Sequence, residues 1–472
     1  SYRDGSLTED LMVAFPARSA VAIAALLIAC RDAPITGGRS PAGAPAPAPQ
    51  FAESRSAPRF RTLADEYRAL ARRIPGFTGV FFDDAGRLTV AHASPTFTAA
   101  AAGEVVEWAT RWSAAVRRGD KPQLVRRAYS YGTLDSVYFQ VLGPALTGLP
   151  FVTSSGIDET QGTITVTVEE ARQFGEVRAV AARLRVPAPM LDLQQMPRPE
   201  TPRAQAQCGE ECSGGGGGGG GGGTWAPTLR DAVRPVHGGL EISWDAYSAC
   251  TVGFAGYRVT PTGGIDPSLG TYYLTAAHCA AEPGVVRDIV WGQPHPETAP
   301  IGTEVWTAPV LSGADCPNGY RRCLMADVMV IRANDSQQPG YGVVKRTALD
   351  DITITGLSGV SGPLYGALVG EIVHKVGRTT GTTLGRITHS CLNTNTVQAR
   401  DLYVLCVQKA SYVSGGGDSG SPVFIPYDPA RAAVTPRTVG IHFAAVTGVW
   451  PPEAFFSTIT QIWRATDYQF WW

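Results

Sequence analysis

Ten consecutive glycines, residues 214–223, set the first limit on how this 472-residue chain can fold. Polyglycine has no side chain to bury and no preferred backbone geometry, so it belongs to no core. The chain must fold as units on either side of it. An earlier break, "RDAPITGGRSPAGAPAPAPQFAESRSAP" at residues 31–58, is rich in proline, alanine and glycine and reads as an extended tether. These breaks divide the sequence into 1–29, 30–58, 59–198, 199–227 and 228–472. Two or three folded units suit the length, and an apolar content of 44% gives them cores to build.

The first segment has the proportions of an export signal. From Met12 it runs "MVAFPARSAVAIAALLIAC", with Arg18 ahead of an apolar run from Ala20 to Ala29 that is short for a bilayer span. The eleven residues before Met12 fit no signal pattern and read as lying upstream of a mis-assigned start. The ending "LIAC" resembles the bacterial lipobox, which implies a lipid on Cys30 and through it a membrane anchor. The other reading is a plain signal peptide with an incidental cysteine. Besides Cys30 there are eight cysteines, an even number with no CxxC pair. They read as disulfides of an exported protein rather than as zinc ligands. Cys208 and Cys212 pair either with each other or elsewhere. A net charge of −1 and the lack of a basic run leave no electrostatic footprint for nucleic acid. No metal and no cofactor is expected.

Residues 59–198 read as a small α+β unit. "FRTLADEYRALARRI" has helical apolar spacing, and "AAAAGEVVEWATRWSAAVRR" predicts a second helix. "GFTGVFFDDAGRLTVAHA" predicts two strands around an Asp-Ala-Gly turn, and "GIDETQGTITVTVEEARQFGEVRAVAARLRV" repeats the turn, strand and helix order. His92 in this unit reads as an ordinary surface histidine. Residues 228–472 have another texture. Short β-branched and aromatic runs such as "TYYLTAA", "DVMVIRA", "EIVHKVG", "DLYVLCV" and "TVGIHFAA" alternate with turn residues, which predicts an all-β barrel or sandwich. Only "FFSTITQIWRAT" near the end reads as helical.

Three residues inside that β unit stand out. "YYLTAAHC" puts His278 directly after a strand, "CLMADVMVI" puts Asp327 at the head of another, and "GGGDSGSP" puts Ser419 in a glycine turn. A serine hydroxyl is a weak nucleophile and needs a base within hydrogen-bond reach, itself oriented by a carboxylate. Asp288, Asp335, Asp350 and Asp351 also lie between His278 and Ser419, but Asp327 alone begins an apolar run, as burial against an imidazole requires. Backbone amides of Gly417 and Ser419 are the candidate oxyanion donors, because glycine lets its peptide approach a reacting carbonyl unobstructed. Alone, Gly-Asp-Ser-Gly is more often a turn, and a histidine before cysteine more often structural. Together with Asp327, between strands and in the order His, Asp, Ser, the two resemble the chymotrypsin arrangement.

Residues 236–472 resemble a chymotrypsin-fold serine protease of the bacterial streptogrisin and glutamyl endopeptidase types. The matching segments, in family order over about half the chain, are "VHGGLEI", "CTVGF", "TAAHC", "DVMVI", "VGRTTGTTLGRIT", "GDSGSPVF" and "GIHF". The resemblance implies an all-β double six-stranded barrel with the triad between the barrels. It implies that Ser419 attacks, His278 acts as base and then acid, and Asp327 holds the imidazole, with protein or peptide as substrate. It also implies a Cys250–Cys279 clamp on the histidine loop. Cys316–Cys323 and Cys391–Cys406 are the expected remaining pairs, with reshuffled partners as the alternative.

Three further expectations follow from the resemblance. The α+β unit is expected to be a pro-domain, an intramolecular inhibitor or folding helper, with an independent tethered binding domain as the other reading. "TVGIHFAAV" is expected to wall the specificity pocket and pair with substrate as an added strand. Strict alternation there puts Val439, Ile441 and Phe443 on one face and Gly440, His442 and Ala444 on the other. His442 and Ser414 suggest hydrogen bonding to a glutamate, whereas Ala444 and Ala445, where the family has glycines, suggest small or apolar residues; the other reading of His442 is a structural histidine bonded within the barrel. The competing function is a catalytically idle or self-processing protease-like module tethered at the membrane.

Overall fold

In the computed structural model the described residues are 60–113, 115–200, 226–245, 248–259, 270–280, 282–334, 339–360, 366–426, 436–466 and 470–471; Cys30, the tether, Cys208, Cys212 and the glycine run lie outside them. Thr62 opens the first helix, Leu63–Arg73, with a capping box: its hydroxyl accepts from the Asp65 amide while the Asp65 carboxylate accepts from the Thr62 amide. Two antiparallel strands, Phe77–Phe82 and Leu88–His92, follow as expected. The second helix is shorter than its sequence predicts, ending at Ala109 rather than running to residue 118. Trp108 and Trp112 stack with ring centroids 5.8 Å apart, and the Ser113 hydroxyl donates to Glu371 of the β unit. Tertiary contacts outweigh helix propensity there.

Strands Val152–Asp158 and Thr163–Val168 form the next hairpin, helix Phe174–Arg183 packs beside it, and strand Leu191–Gln195 pairs parallel to Thr163–Val168. Tyr67, Phe77, Trp108, Leu134, Ile164 and Val177 are buried together as the core of this α+β unit.

The remainder is mainly β: one sheet has six strands, and six strands of a second, eleven-stranded sheet close on themselves. In the first, the order is Val290–Gly292, Pro300–Thr307, Met329–Ala333, Thr271–Thr275, Ala255–Arg258, Phe470–Trp471. In the second, Ala399–Ala410, Glu453–Thr458, Arg437–Val446, Pro422–Ile425, Ile372–Gly377 and Gly381–Thr396 pair in turn, and the last pairs back to the first. That closing pair makes a complete barrel, which removes the sheet edges. The architecture is the chymotrypsin-like double barrel preceded by a small α+β unit. "FFSTITQIWRAT" divides into the end of the strand Glu453–Thr458 and the helix Ile459–Thr466, where the sequence suggested helix throughout.

The two units share one sheet. Residues Ser154, Ser155 and Gly156 pair antiparallel with Thr394, Asn393 and Leu392, so the α+β hairpin extends the closed barrel's long strand. Gly156 is required for this approach, since a Cβ there would stand 2.4 Å from the Cys391 carbonyl oxygen. The Asn393 amide donates to the hydroxyls of Tyr138 at 3.1 Å and Tyr320 at 3.0 Å, tying both units together. Disulfides join Cys250 to Cys279, Cys316 to Cys323 and Cys391 to Cys406.

Candidate active site

His278 sits in the single turn Ala277–Cys279 that follows strand Thr271–Thr275, and the Cys250–Cys279 disulfide fixes that turn against the short strand Cys250–Thr251. Its backbone amide donates to Asp327 Oδ1 at 3.1 Å and its Nδ1 lies 2.9 Å from Asp327 Oδ2. Nε2 lies 2.7 Å from Ser419 Oγ. Asp327 precedes the strand Met329–Ala333 rather than beginning it, and its amide donates to the Ser457 hydroxyl at 2.9 Å. The Asp327 side chain is only 4% exposed and that of His278 11%, so the pair is shielded from water while the imidazole edge stays reachable. The residues singled out as a triad are thus within hydrogen-bond reach of one another. Asp288, Asp350 and Asp351 make no such contact with His278, and Asp335 lies outside the described residues.

The glycine turn is pinned from below. Gly417 has φ +90°, a backbone that favours glycine, and its carbonyl accepts from the Thr251 hydroxyl at 2.8 Å. Gly420 also has φ +90°, and a Cβ there would meet Thr275 Oγ1 at 2.1 Å. No acceptor among the described residues takes the amide hydrogens of Gly417 or Ser419, so both remain available beside the Ser419 hydroxyl.

Asp418 anchors the turn. Its carboxylate is fully buried and accepts from Lys375 Nζ at 2.7 Å, the Thr380 hydroxyl at 2.7 Å, and the amides of Thr379 and Gly415 at 2.9 Å each. Burial alone would raise its pKa, but Lys375 and these donors hold it down to about 2. Lys375 is a residue that sequence reasoning missed. Its only trace is a lysine inside the apolar strand "EIVHKVG".

His442 is wholly buried, with the Tyr412 hydroxyl 3.1 Å from Nδ1 and the Ser414 hydroxyl 2.7 Å from Nε2. Burial, reinforced by the charge of Lys375, pushes its pKa down to about 3, so it is neutral at ordinary pH. Tyr412 carries no signal in the sequence. A register shift between His442 and Ala444 interrupts the strict alternation expected of this strand. Phe443 and Ala445 are buried, and Ala445 exchanges two backbone hydrogen bonds with Glu200, at 2.7 and 3.0 Å. Arg198, just ahead of Glu200, is 3% exposed and donates to Pro150 O at 2.6 Å, to Glu169 at 3.1 Å and to Asn395.

No family model matches the sequence, and no curated protein does. Among solved structures, the chain is similar to Thermobifida fusca protease A, at 18% identity over 50% of this chain and 97% of that one, with a TM-score of 0.35. It is similar to a Nocardiopsis protease, at 18% identity over 50% of this chain and 99% of that one, with a TM-score of 0.35. A glutamic acid specific serine protease, described as using a histidine triad in substrate binding, is matched at 21% identity over 50% of this chain and all of the other, again with a TM-score of 0.35.

Proposed function

We propose that the chain is a serine endopeptidase working through an acyl-enzyme. The observation that carries this reading is the unbroken line from Asp327 through His278 to Ser419, with contacts of 2.9 and 2.7 Å, next to two unused backbone amides. Ser419 gives its hydroxyl proton to His278 Nε2 as Oγ bonds to the scissile carbonyl carbon. The oxyanion is met by the Gly417 and Ser419 amides, while Asp327 stabilises the imidazolium. His278 then protonates the leaving amine and the C–N bond breaks. A water deprotonated by His278 cleaves the acyl ester and restores the serine proton. Ser419→Ala should abolish turnover of an added peptide while leaving the folded protein intact. Retained turnover would mean that the triad is wrongly assigned, and no turnover of an added peptide by the unmodified chain would favour the idle or self-processing module instead.

The α+β unit acts in this reading as an intramolecular inhibitor. Support comes from Glu200, two residues beyond the α+β unit, whose paired hydrogen bonds occupy the Ala445 backbone that an incoming substrate strand would use. Glu200→Pro removes the amide donor to Ala445 O and should raise the initial rate on an added peptide. An unchanged rate would contradict the inhibitory role. Glutamate preference rests on His442 and Ser414, and the competing preference for small residues on Ala444 and Ala445. A peptide-library digest with no glutamate enrichment before the cut would discard the former. Export is supported by the three disulfides, which persist in oxidising compartments. The mass of the product recovered from cells would report lipidation of Cys30 and the processing site together.

A further inference from the structure

A cavity of about 940 Å³ lies between the strands Pro339–Thr347, Ile354–Gly359 and Ile372–Gly377, well separated in role from the triad. Leu349, Leu357, Val360, Val376 and Phe424 supply much of its wall. Leu349 and Leu357 are about half exposed, at 56% and 50%, although large aliphatic side chains gain by burial. Lys345, Arg346 and His374 also line the cavity, and no carboxylate does so among the described residues.

Lys345 is the informative member. It is 6% exposed, yet no hydrogen bond or ion pair holds its ammonium among the described residues. Buried charges in proteins are ordinarily paired. Most of the Lys345 side chain is withdrawn from water with no carboxylate beside it, while its ammonium keeps a solvent edge at the cavity, and burial lowers the pKa of Lys345 and of His374 alike. The contrast with the adjacent lysine is direct. Side chains alternate along the strand Ile372–Gly377, so Lys375 points to Asp418 behind the nucleophile while His374 and Val376 face the cavity. One lysine has its carboxylate built in. The other faces an apolar hollow that lacks one.

We propose that this cavity binds an acyl-chain carboxylate, a fatty-acid-type anion, with its carboxylate on Lys345 and its hydrocarbon chain along Leu349, Leu357, Val360, Val376 and Phe424. The anion supplies the missing counter-charge, and the chain covers the exposed leucines. A single cation at the cavity suits a monovalent carboxylate, and exposed Arg346 offers a second donor at the rim. A peptide fits less well. It brings an amide N–H and a carbonyl at each residue, and aliphatic walls leave these unpaired, whereas a methylene chain needs no partner.

The test is calorimetric titration of the full chain with laurate below its micellar concentration, with dodecanol as the uncharged twin. Expected are one saturable equivalent of laurate, binding at least tenfold tighter than dodecanol, and roughly tenfold weaker binding when laurate is shortened by two carbons. Lys345→Met should weaken laurate at least tenfold and bring it level with dodecanol, while Lys345→Arg should retain most of the affinity. Saturable laurate binding that is absent, equal to that of dodecanol, or unchanged in Lys345→Met would overturn the proposal. So would tighter binding of a short peptide ending in leucine. Melting curves of both variants guard against misfolding. If Lys345→Met does not fold, the laurate–dodecanol difference on the unmodified chain decides alone. No triad residue lines the cavity, so the outcome is independent of peptidase activity.

Discussion

His278 and His442 lie in the same β unit, and each holds a serine hydroxyl 2.7 Å from Nε2, Ser419 in one case and Ser414 in the other. What differs is the group behind the ring. Nδ1 of His278 meets the carboxylate of Asp327 at 2.9 Å, whereas Nδ1 of His442 meets the hydroxyl of Tyr412 at 3.1 Å. A carboxylate stabilises an imidazolium and a phenol does not. His442 is moreover fully buried beside Lys375, and the two effects push its pKa to about 3. In the proposed reading the same His–Ser pair is therefore a base and nucleophile in one place and a neutral hydrogen-bonded wall in the other. A histidine close to a serine is not a catalytic signal until its other nitrogen is accounted for.

The largest effect that can break this comparison is on rate. Ser419→Ala should reduce kcat by about 10⁶-fold, and Ser414→Ala by less than about tenfold. A large loss in Ser414→Ala with a small one in Ser419→Ala would mean that the two pairs had been assigned the wrong way round. Asp327→Asn, which keeps the shape but removes the charge, should cost about 10⁴-fold in kcat. A loss under tenfold would show that His278 does not depend on its carboxylate.

Stability provides the next contrast. Lys375→Met strands the buried Asp418 carboxylate and should lower unfolding free energy by about 3–5 kcal/mol in urea titrations. Lys375→Met combined with Asp418→Asn should recover much of that, because the two residues act as one unit. Additive losses would argue against the pair. His442 gives a pH signature of defined sign. Its folded pKa, about 3, lies below its unfolded value, so the unfolded chain binds the extra proton as pH falls from about 6.5 toward 3. Stability should therefore decline over that window, by about 2 kcal/mol at pH 5 from this group. His442→Gln should flatten that part of the profile, and an unchanged slope would refute a buried neutral His442. The smallest effect expected is that of Tyr412→Phe, about 1 kcal/mol for one lost hydrogen bond, with little change in kcat.

The sequence was most legible where function depends on a local backbone shape. "TAAHC" and "GDSG" each encode a turn with its candidate side chain, and the strand runs between them encode the β architecture. Partners set by long-range packing were not legible. Lys375 reaches Asp418 across 43 residues of chain, and nothing in either segment names the other. Tyr412 is one aromatic among many until the strand pairing brings it to His442. The end of the second helix at Ala109 is set by the Trp108–Trp112 stack and by Ser113 reaching Glu371, contacts with no local propensity behind them. The pairing of Gly156 with Leu392 likewise joins segments that a glycine-rich break had marked as separate. Breaks in composition show where a core stops, but not which edges later meet.

The most direct test of the central claim is covalent labelling. The full chain and its Glu200→Pro variant are treated with a fluorophosphonate over several hours, and the modified serine is located by peptide mass mapping. The account predicts a single adduct on Ser419 in both, formed faster in Glu200→Pro, slowed strongly by Asp327→Asn, and absent from Ser414. No adduct on Ser419 in either protein, or an adduct on Ser414 instead, would contradict it.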